Sequence, residues 1–386
     1  MKKKLFFLLC CILVCISLLK IPLVNAETEY DEINAKCKSA YLMDYQSGKV
    51  LYAKNVNSRL PIASMTKLMT LLLTFENVEN GNLNLDERVI ASKNASGMGG
   101  SQVYLEENGE YNCSELIKAV IIASANDASV ALCERLYGSE QNAVDEMNKR
   151  AKEMGMDNTL YSNCTGLTKP TQYSCAKDVA VLLKELCKHG EYFSYSKIWM
   201  DEIKHPSGNV TSLTNTNKLV RFYEGCDGGK TGFTNEAGFC LSATAKRGAM
   251  RLISVCIGGE SSKDRFKAVS SMFNYGFTNY SEKCVFEKGE EIDKLVSVKG
   301  GKKEKIELVC EKDCYVFGKK NEKIDYSLSF DIQNKVKAPV KMGQPLGKVK
   351  VFVNNVCVCE TNLVAKEQVQ AKNYIDEIIQ IANDWT

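Results

Sequence analysis

The sequence predicts an α+β fold, because strands at both ends of the first 280 residues enclose a helical middle. Alternating apolar residues in Ser39–Tyr45 and Lys49–Lys54 flank a Gln-Ser-Gly turn and indicate a hairpin. Gly238–Lys246 and Met250–Ile257 have the same pattern around an Arg-Gly-Ala turn. This order predicts one domain whose sheet joins its N-terminal and C-terminal parts.

The middle of the chain has the apolar spacing of helices. Ser64–Phe75 is apolar on nearly every side after its first turn, which predicts a helix in the centre of a domain. Amphipathic helices are predicted at Ser114–Ser124, Asp127–Tyr137, Ser139–Met154 and Ser174–Lys188.

The composition changes near residue 280. Residues 281–365 contain sixteen lysines and no arginine, in short β-type runs separated by turn signals, and this predicts a small all-β domain. Residues 366–386 are predicted to form an amphipathic helix. Its net charge of −2 is unfavourable for anionic lipids. Peripheral membrane contact and packing on the β domain or a partner therefore both stay open.

The first 26 residues have the pattern of a secretory signal peptide. Three lysines precede an apolar run from Leu5 to Leu19, and Val24-Asn25-Ala26 places a small residue at the cut. We therefore expect export, the alternative being a retained signal anchor. Cleavage after Ala26 leaves 46 basic and 47 acidic residues, which removes any compositional case for binding nucleic acid.

Cysteine and histidine counts restrict the chemistry. Fourteen of the seventeen cysteines lie beyond the signal, none in a C-x-x-C pair, and several occupy places suited to a small apolar residue. We expect most to be free thiols. The only histidines, His189 and His205, are expected at the surface, and their scarcity weighs against a zinc hydrolase or a Ser-His-Asp triad.

A candidate nucleophile is found among four Ser-x-x-Lys tetrads, at Ser17, Ser64, Ser174 and Ser194. Only Ser64 opens an otherwise apolar helix, and a spacing of three places Lys67 on the same face. Burial lowers the pKa of a lysine, so that Lys67 can act as a base toward Ser64. The alternative is an N-cap serine with a lysine that reaches solvent.

Two further motifs favour the catalytic interpretation. Ser124-Ala125-Asn126 places a hydroxyl and a carboxamide on a short connection between helices. Lys230-Thr231-Gly232 opens the strand region with an ammonium, a hydroxyl and a glycine, and the glycine lets a ligand backbone approach a strand edge.

These motifs resemble the low-molecular-mass penicillin-binding proteins that are serine D-alanyl-D-alanine carboxypeptidases. The similar blocks are Pro61–Lys67, Ser124–Ala128, Asn163–Leu167, Asp227–Thr234 and Glu236–Cys240. Cys164 and Gly228 depart from the family pattern. The resemblance implies an antiparallel sheet flanked by helices, as in serine β-lactamases and D,D-peptidases. It also implies a catalytic domain over residues 27–280, followed by a β sandwich.

The resemblance implies catalytic roles for three side chains. Ser64 is the expected nucleophile, Lys67 its base, and Ser124 the group that relays a proton to the leaving amine. The backbone N–H groups of Ser64 and Phe233 are the expected oxyanion hole. No metal or organic cofactor is needed.

The resemblance also implies how substrate is bound. Asn126 is expected to hold the substrate amide, Lys230 to supply positive potential, and Gly232 to line the strand edge. Thr231 and Arg265 are expected to bind the terminal carboxylate. The implied substrate is a peptidoglycan stem pentapeptide, with β-lactams as covalent inhibitors, at the cell envelope outside the cytoplasmic membrane. A β-lactamase and a non-catalytic penicillin sensor or wall-binding module are the alternatives.

Overall fold

The computed structural model describes residue 33, residues 35–376 and residue 378. The predicted signal peptide, together with residue 377 and residues 379–386 of the predicted C-terminal helix, lies outside these residues. No helix among the described residues is both long enough and apolar enough to cross a bilayer.

The first part of the described chain is built on a five-stranded antiparallel sheet with the strand order β2-β1-β9-β8-β7. Its strands and the smaller ones beside it are β1 (Ser39–Asp44), β2 (Val50–Lys54), β3 (Arg88–Ile90), β4 (Glu110–Asn112), β5 (Met200–Lys204), β6 (Val210–Thr214), β7 (Cys226–Thr234), β8 (Gly238–Arg247) and β9 (Met250–Gly259). The helices are α1 (Lys67–Glu79), α2 (Lys93–Ser96), α3 (Cys113–Ile122), α4 (Asn126–Tyr137), α5 (Glu140–Glu153), α6 (Ala176–Leu186), α7 (Tyr192–Ser196), α8 (Leu219–Phe222) and α9 (Ser262–Asn279).

The register of the sheet confirms the predicted fold class. β1 pairs with β2 as the N-terminal hairpin and also with β9, where Ala40 lies opposite Cys256. β8 pairs with β7 on one side and with β9 on the other. The sheet therefore joins the two ends of the domain and leaves β7 at its edge.

Helix α1 is the central helix that the apolar run predicted. Every residue from Lys67 to Phe75 is buried, so the first turns of the helix are enclosed on all sides. Because nearly every side is enclosed, a polar side chain in its first turn must find its hydrogen-bond partners inside the protein.

The predicted N-cap of α6, Ser174, lies one residue before the observed N-cap, Cys175. Ser174 exchanges backbone hydrogen bonds with Leu60, and its hydroxyl lies 2.8 Å from that of Thr159. A residue held in an isolated bridge of this kind cannot also cap the helix, which begins at Ala176.

The two histidines are buried, which corrects their expected surface position. His205 Nδ1 lies 2.9 Å from the hydroxyl of Tyr111, and its Nε2 lies 2.8 Å from the hydroxyl of Thr211. The Nδ1 atom of His189 lies 2.7 Å from a carboxylate oxygen of Glu79. The two hydroxyls satisfy the His205 ring, whereas His189 Nδ1 forms no hydrogen bond with the described residues and its ring packs on Phe75.

The second part of the described chain is an all-β domain, as predicted. Its strands are β10 (Tyr280–Phe286), β11 (Glu291–Lys299), β12 (Lys305–Cys310), β13 (Cys314–Lys319), β14 (Ser327–Ile332), β15 (Lys335–Lys337), β16 (Pro345–Val353) and β17 (Val356–Ala365). β10 and β13 form one sheet, and the other six strands form a second in the order β14-β16-β17-β12-β11-β15. Val296, Leu308 and Val349 lie in its core with no exposed surface.

The start of the predicted C-terminal helix does not have helical structure. Val369 forms a β bridge with Val340, and Ala371 forms another with Gly301. Val369 is almost fully buried in the β domain. Because the backbone of Val369 is paired in a β bridge and its side chain packs in that core, the helix begins only at Tyr374.

The cysteines beyond the signal are mostly unpaired. Cys314 and Cys359 form a disulfide in the β domain. The remaining twelve are free thiols, nine of them buried, as expected for cysteine used as a compact apolar residue.

The edge strand β7 is held to β9 by a half-buried ion pair, whose removal tests the stability of the sheet. Both guanidinium nitrogens of Arg251 lie 2.8 Å from Asp227 carboxylate oxygens, and each side chain is 13% exposed. We expect Asp227→Asn to lower the free energy of unfolding by about 2–4 kcal/mol, because it leaves the guanidinium without its counter-charge. Chemical unfolding followed by circular dichroism measures this.

Asp201→Asn is the matched control. Asp201 pairs with Lys118 at 2.9 Å in a more exposed place, so its loss should cost under about 1 kcal/mol. Equal losses for the two variants would contradict a special contribution from the Arg251 pair.

Candidate active site

Ser64 lies in a tight 3-10 turn, Ala63–Thr66, that leads directly into α1. The preceding residue, Ala63, has a φ of +47°, a left-handed conformation that non-glycine residues adopt at some cost. Ser64 is half-buried, whereas its neighbours Ala63, Met65 and Thr66 are buried. The turn thus leaves this serine at the surface of an otherwise closed helix start.

The amine of Lys67 is completely buried and forms three hydrogen bonds. Its Nζ lies 3.0 Å from Ser64 Oγ, 2.6 Å from the carboxamide oxygen of Asn126 and 2.6 Å from the carbonyl oxygen of Thr165. These acceptors come from the turn before α1, the start of α4 and the 163–167 loop. The lysine does not reach solvent, so the geometry favours the catalytic interpretation of this tetrad.

The pKa of Lys67 is lowered to about 7, chiefly because burial penalises the ammonium form. The nearby Cys164 and Asp127 act in the opposite direction. At neutral pH a substantial fraction of the amine is therefore neutral. A neutral amine 3.0 Å from a serine hydroxyl can accept its proton.

The connection between α3 and α4 carries Ser124 and Asn126 to the same region. Ser124 is buried with a φ of +63°, and its hydroxyl forms no hydrogen bond to any residue the structure describes. The Asn126 amide nitrogen donates to Gly99 O at 2.6 Å, while its oxygen accepts from Lys67. A carboxamide has two N–H donors, so the second stays available to a ligand carbonyl.

Lys230 is the second buried amine of the site. Its pKa is held well below its usual value by burial and by the positive charges of Lys67 and Arg265. Its Nζ donates to the carbonyl of Thr231 at 3.2 Å, and the Thr231 hydroxyl donates to that of Thr216 at 2.8 Å. A carboxylate beside these groups would favour the protonated lysine.

Strand β7 approaches the Ser64 turn at Gly232. A Cβ atom at Gly232 would lie 2.7 Å from Ile62 O and 3.1 Å from Ser64 N, closer than a side chain tolerates without movement. The next residue, Phe233, is 51% exposed and packs its ring on Phe239 at 4.4 Å. Glycine is therefore required for the edge strand to reach the nucleophile, and an aromatic ring stands beside the opening.

Arg265 is placed behind the edge strand. One guanidinium nitrogen donates to Gly232 O at 3.0 Å and to Cys240 O at 3.3 Å, while Nε is buried without a partner. Burial lowers its pKa. The structure forms no direct contact between Arg265 and Thr231, so their joint binding of a carboxylate stays a prediction.

Three contributors to the site were not found from the sequence. The carbonyl of Thr165 binds Lys67, and the hydroxyl of Thr216 orients Thr231. Buried Asp127 accepts from the amides of Val103 and Leu105 and fixes the adjacent loop. The role of Asp127 could have been predicted, because a carboxylate at the start of an apolar helix is unusual. The role of the Thr165 carbonyl could not, because every residue has a backbone carbonyl.

Comparison with known proteins gives two family matches. Residues 24–261 match the family described as D-alanyl-D-alanine carboxypeptidase, and residues 280–371 match the C-terminal domain of penicillin-binding protein 5. The D-alanyl-D-alanine carboxypeptidase DacF of Bacillus subtilis is 38% identical over 356 residues, which cover 92% of this chain and 91% of that protein.

Solved structures agree with these matches. A peptidoglycan synthesis regulatory factor (PBP3) from Streptococcus pneumoniae is 25% identical, with a TM-score of 0.75 over 87% of this chain and 100% of that one. Penicillin-binding protein D2 from Listeria monocytogenes, in an ampicillin-bound form, is 31% identical, with a TM-score of 0.57 over 64% of this chain and 99% of that one. Given these matches, the chain belongs to the D-alanyl-D-alanine carboxypeptidase family of serine peptidases.

Proposed function

We propose that the protein removes the terminal D-alanine from peptidoglycan stem pentapeptides through an acyl-enzyme on Ser64. Membership of the family supports the D-alanyl-D-alanine carboxypeptidase activity. One observation carries the assignment of the nucleophile. Lys67 is fully buried, has a pKa lowered to about 7 and lies 3.0 Å from Ser64 Oγ. A serine beside such an amine is activated without a histidine.

The first step is attack of Ser64 Oγ on the carbonyl of the penultimate D-alanine. Lys67 accepts the hydroxyl proton, and the new C–O bond gives a tetrahedral oxyanion. The N–H groups of Ser64 and Phe233 are the proposed donors to that oxygen, and each such donor contributes about 3 kcal/mol to lowering the barrier. The close approach of Gly232 to Ser64 supports this arrangement.

The second step releases D-alanine and restores the enzyme. Ser124 is the proposed relay that passes a proton to the leaving nitrogen, and its hydroxyl has no competing partner among the described residues. Collapse of the intermediate breaks the C–N bond and leaves the acyl group on Ser64. Water, with Lys67 again as base, then hydrolyses the ester.

Recognition of a free carboxylate explains removal of a terminal residue. Thr231, Lys230 and Arg265 are the proposed partners of the leaving alanine's carboxylate, and Asn126 is the proposed partner of the substrate amide. The positive charges that lower the pKa of Lys230 are the environment in which an anion is stabilised.

The proposed setting is the cell envelope, outside the cytoplasmic membrane, with residues 27–280 as the catalytic domain and 281–365 as the all-β domain. The predicted signal supports export. The ampicillin-bound relative supports β-lactams as covalent inhibitors. Peripheral membrane contact through residues 366–386 would be tested by vesicle flotation of the full chain and of a chain ending at 365.

Replacing the nucleophile tests the central assignment. We expect Ser64→Ala to abolish release of D-alanine from a pentapeptide ending in D-Ala-D-Ala, because no acyl-enzyme can form. Mass spectrometry would show loss of one alanine with the wild type and an unchanged peptide with the variant. Ser194→Ala, at another Ser-x-x-Lys tetrad, is the matched control and should retain activity. Full activity in Ser64→Ala would overturn the assignment.

The lowered pKa of Lys67 predicts a pH dependence. Its amine is mostly protonated at pH 6 and mostly neutral at pH 8, so acylation should become about tenfold faster between these values. Stopped-flow acylation by a chromogenic β-lactam measures this. Lys67→Arg keeps the side chain protonated and should lower the rate at least about a hundredfold at every pH. A wild-type rate independent of pH would contradict a lysine base, and Lys152→Arg serves as the exposed control.

The steric requirement at Gly232 gives a separate prediction. The added Cβ of Gly232→Ala meets Ile62 O and Ser64 N and should push β7 away from the nucleophile. We expect acylation to fall about a hundredfold, since a misplacement of about 1 Å can have that effect. Gly190→Ala is the control, because its Cβ meets nothing within 4 Å. Wild-type acylation by Gly232→Ala would show that this approach is not needed.

A further inference from the structure

A cavity of about 280 Å³ opens next to the Ser64 turn. Its walls come from three segments: residues 59–63, residues 166–173 and the end of β7 with the turn that follows. The volume equals roughly nine water molecules at about 30 Å³ each, and it can hold a side chain of seven or eight non-hydrogen atoms. None of the catalytic roles proposed above uses this cavity.

The cavity carries a fixed carboxylate. Glu236 Oε2 accepts a hydrogen bond from the hydroxyl of Thr168 at 2.9 Å, which ties the β7–β8 turn to the loop on the other wall. Hydrogen bonds from its own backbone amide, Thr168 and Thr234 lower its pKa and favour the anion. No lysine or arginine among the described residues neutralises it within 4 Å.

The same cavity carries two cations. Lys169 is exposed, and no carboxylate of the described chain lies within 4 Å of its amine. The guanidinium of Arg59 lies 5.0 Å from the centre of the Tyr173 ring, and its Nε donates to the side-chain oxygen of Asn158 at 3.2 Å. The lining of the cavity therefore contains one carboxylate, from Glu236, and two cationic groups, from Lys169 and Arg59.

The position of the cavity along β7 indicates which part of a substrate reaches it. Thr231 is the proposed partner of the terminal carboxylate, and Phe233 is the proposed donor at the scissile carbonyl. Continuing in the same direction, the strand ends at Thr234, and Glu236 lies in the turn that follows. A peptide extended along β7 rises about 3.3 Å per residue, which would place the residue that precedes the two terminal alanines beside this end of the strand and the cavity.

We propose that this cavity binds the side chain of that preceding residue, and that it selects a side chain with an amino group and a carboxylate on its terminal carbon. The inference rests on the proposed function. Glu236 binds the ammonium group, and Lys169 with Arg59 binds the carboxylate. A side chain with an ammonium group alone satisfies only Glu236 and gives neither cation a counter-charge, which is why the zwitterion is favoured.

Three pentapeptides that differ only in the third residue test the inference. That residue is meso-2,6-diaminopimelate, lysine or norleucine, which provide both charges, the ammonium alone and neither. Released D-alanine gives kcat/KM. We expect the diaminopimelyl peptide to exceed the norleucyl peptide about tenfold, with the lysyl peptide about threefold above norleucyl.

Two variants separate the two charges. Glu236→Gln should bring the ratio of kcat/KM for the lysyl and norleucyl peptides to about 1. Lys169→Met combined with Arg59→Met, which removes both cations, should bring the ratio for the diaminopimelyl and lysyl peptides to about 1. Glu224→Gln and Lys152→Met, at exposed positions outside the cavity lining, are the matched controls and should keep the wild-type ratios.

The outcomes distinguish this inference from the proposed function. Equal kcat/KM for all three peptides, or wild-type ratios in both cavity variants, would overturn the subsite and leave the carboxypeptidase activity in place. Failure to release D-alanine from any of the three peptides would instead overturn the proposed function.

Discussion

Burial of the Lys67 amine is the constraint on which the rest of the site depends. A lowering of its pKa from 10.5 to about 7 corresponds to roughly 5 kcal/mol against the charged form. That penalty is tolerable only if every donor has an acceptor, and the three acceptors come from three separate segments. The lysine therefore fixes the Ser64 turn, the α4 start at Asn126 and the Thr165 loop relative to one another. The hydrogen bonds that satisfy the buried amine therefore also bring together the groups that the proposed acyl transfer uses.

Close backbone approach is the second condition, and glycines on opposite walls provide it. A Cβ at Gly166 would lie 2.0 Å from Ala63 O, and one at Gly232 would meet the same turn from β7. With both walls so near, Ala63 has no room to relax and keeps its left-handed φ. Ser124 is held in the same uncommon conformation on the neighbouring connection. Backbone strain of this kind costs about 1–3 kcal/mol per residue and persists only where the surrounding structure holds the chain in place. Here the strained residues position the hydroxyls of Ser64 and Ser124 at the same cleft.

Features that depend on interactions between neighbouring residues could be predicted from the sequence, whereas features that depend on residues far apart in the chain could not. The β1–β2 hairpin and the pairing of Ser64 with Lys67 are local, and periodicity or spacing was enough to find them. The Thr165 carbonyl could not be found in this way, since every residue has one and only the folded chain selects which carbonyl meets the amine. The burial of His205 depends on Tyr111, far away in the chain, and the strand-like pairing of Val369 depends on space in the β core. Neither partner is visible in the local pattern.

The charge distribution gives a physical reason why this site should act at a chain terminus. Lys67, Lys230 and Arg265 lie close enough that burial and mutual repulsion lower the pKa of Lys230 well below its usual value. A free carboxylate entering beside Lys230 reverses the balance, because it favours the ammonium form by direct attraction. In the proposed mechanism, substrate binding would therefore favour a proton on Lys230, whereas Lys67, next to the serine, would act as the base in its neutral form. An internal peptide bond brings no such anion, so the same cluster would face a neutral backbone with its repulsion unrelieved. The proposed selection for a terminal residue is thus supported by the electrostatics of these three cationic side chains.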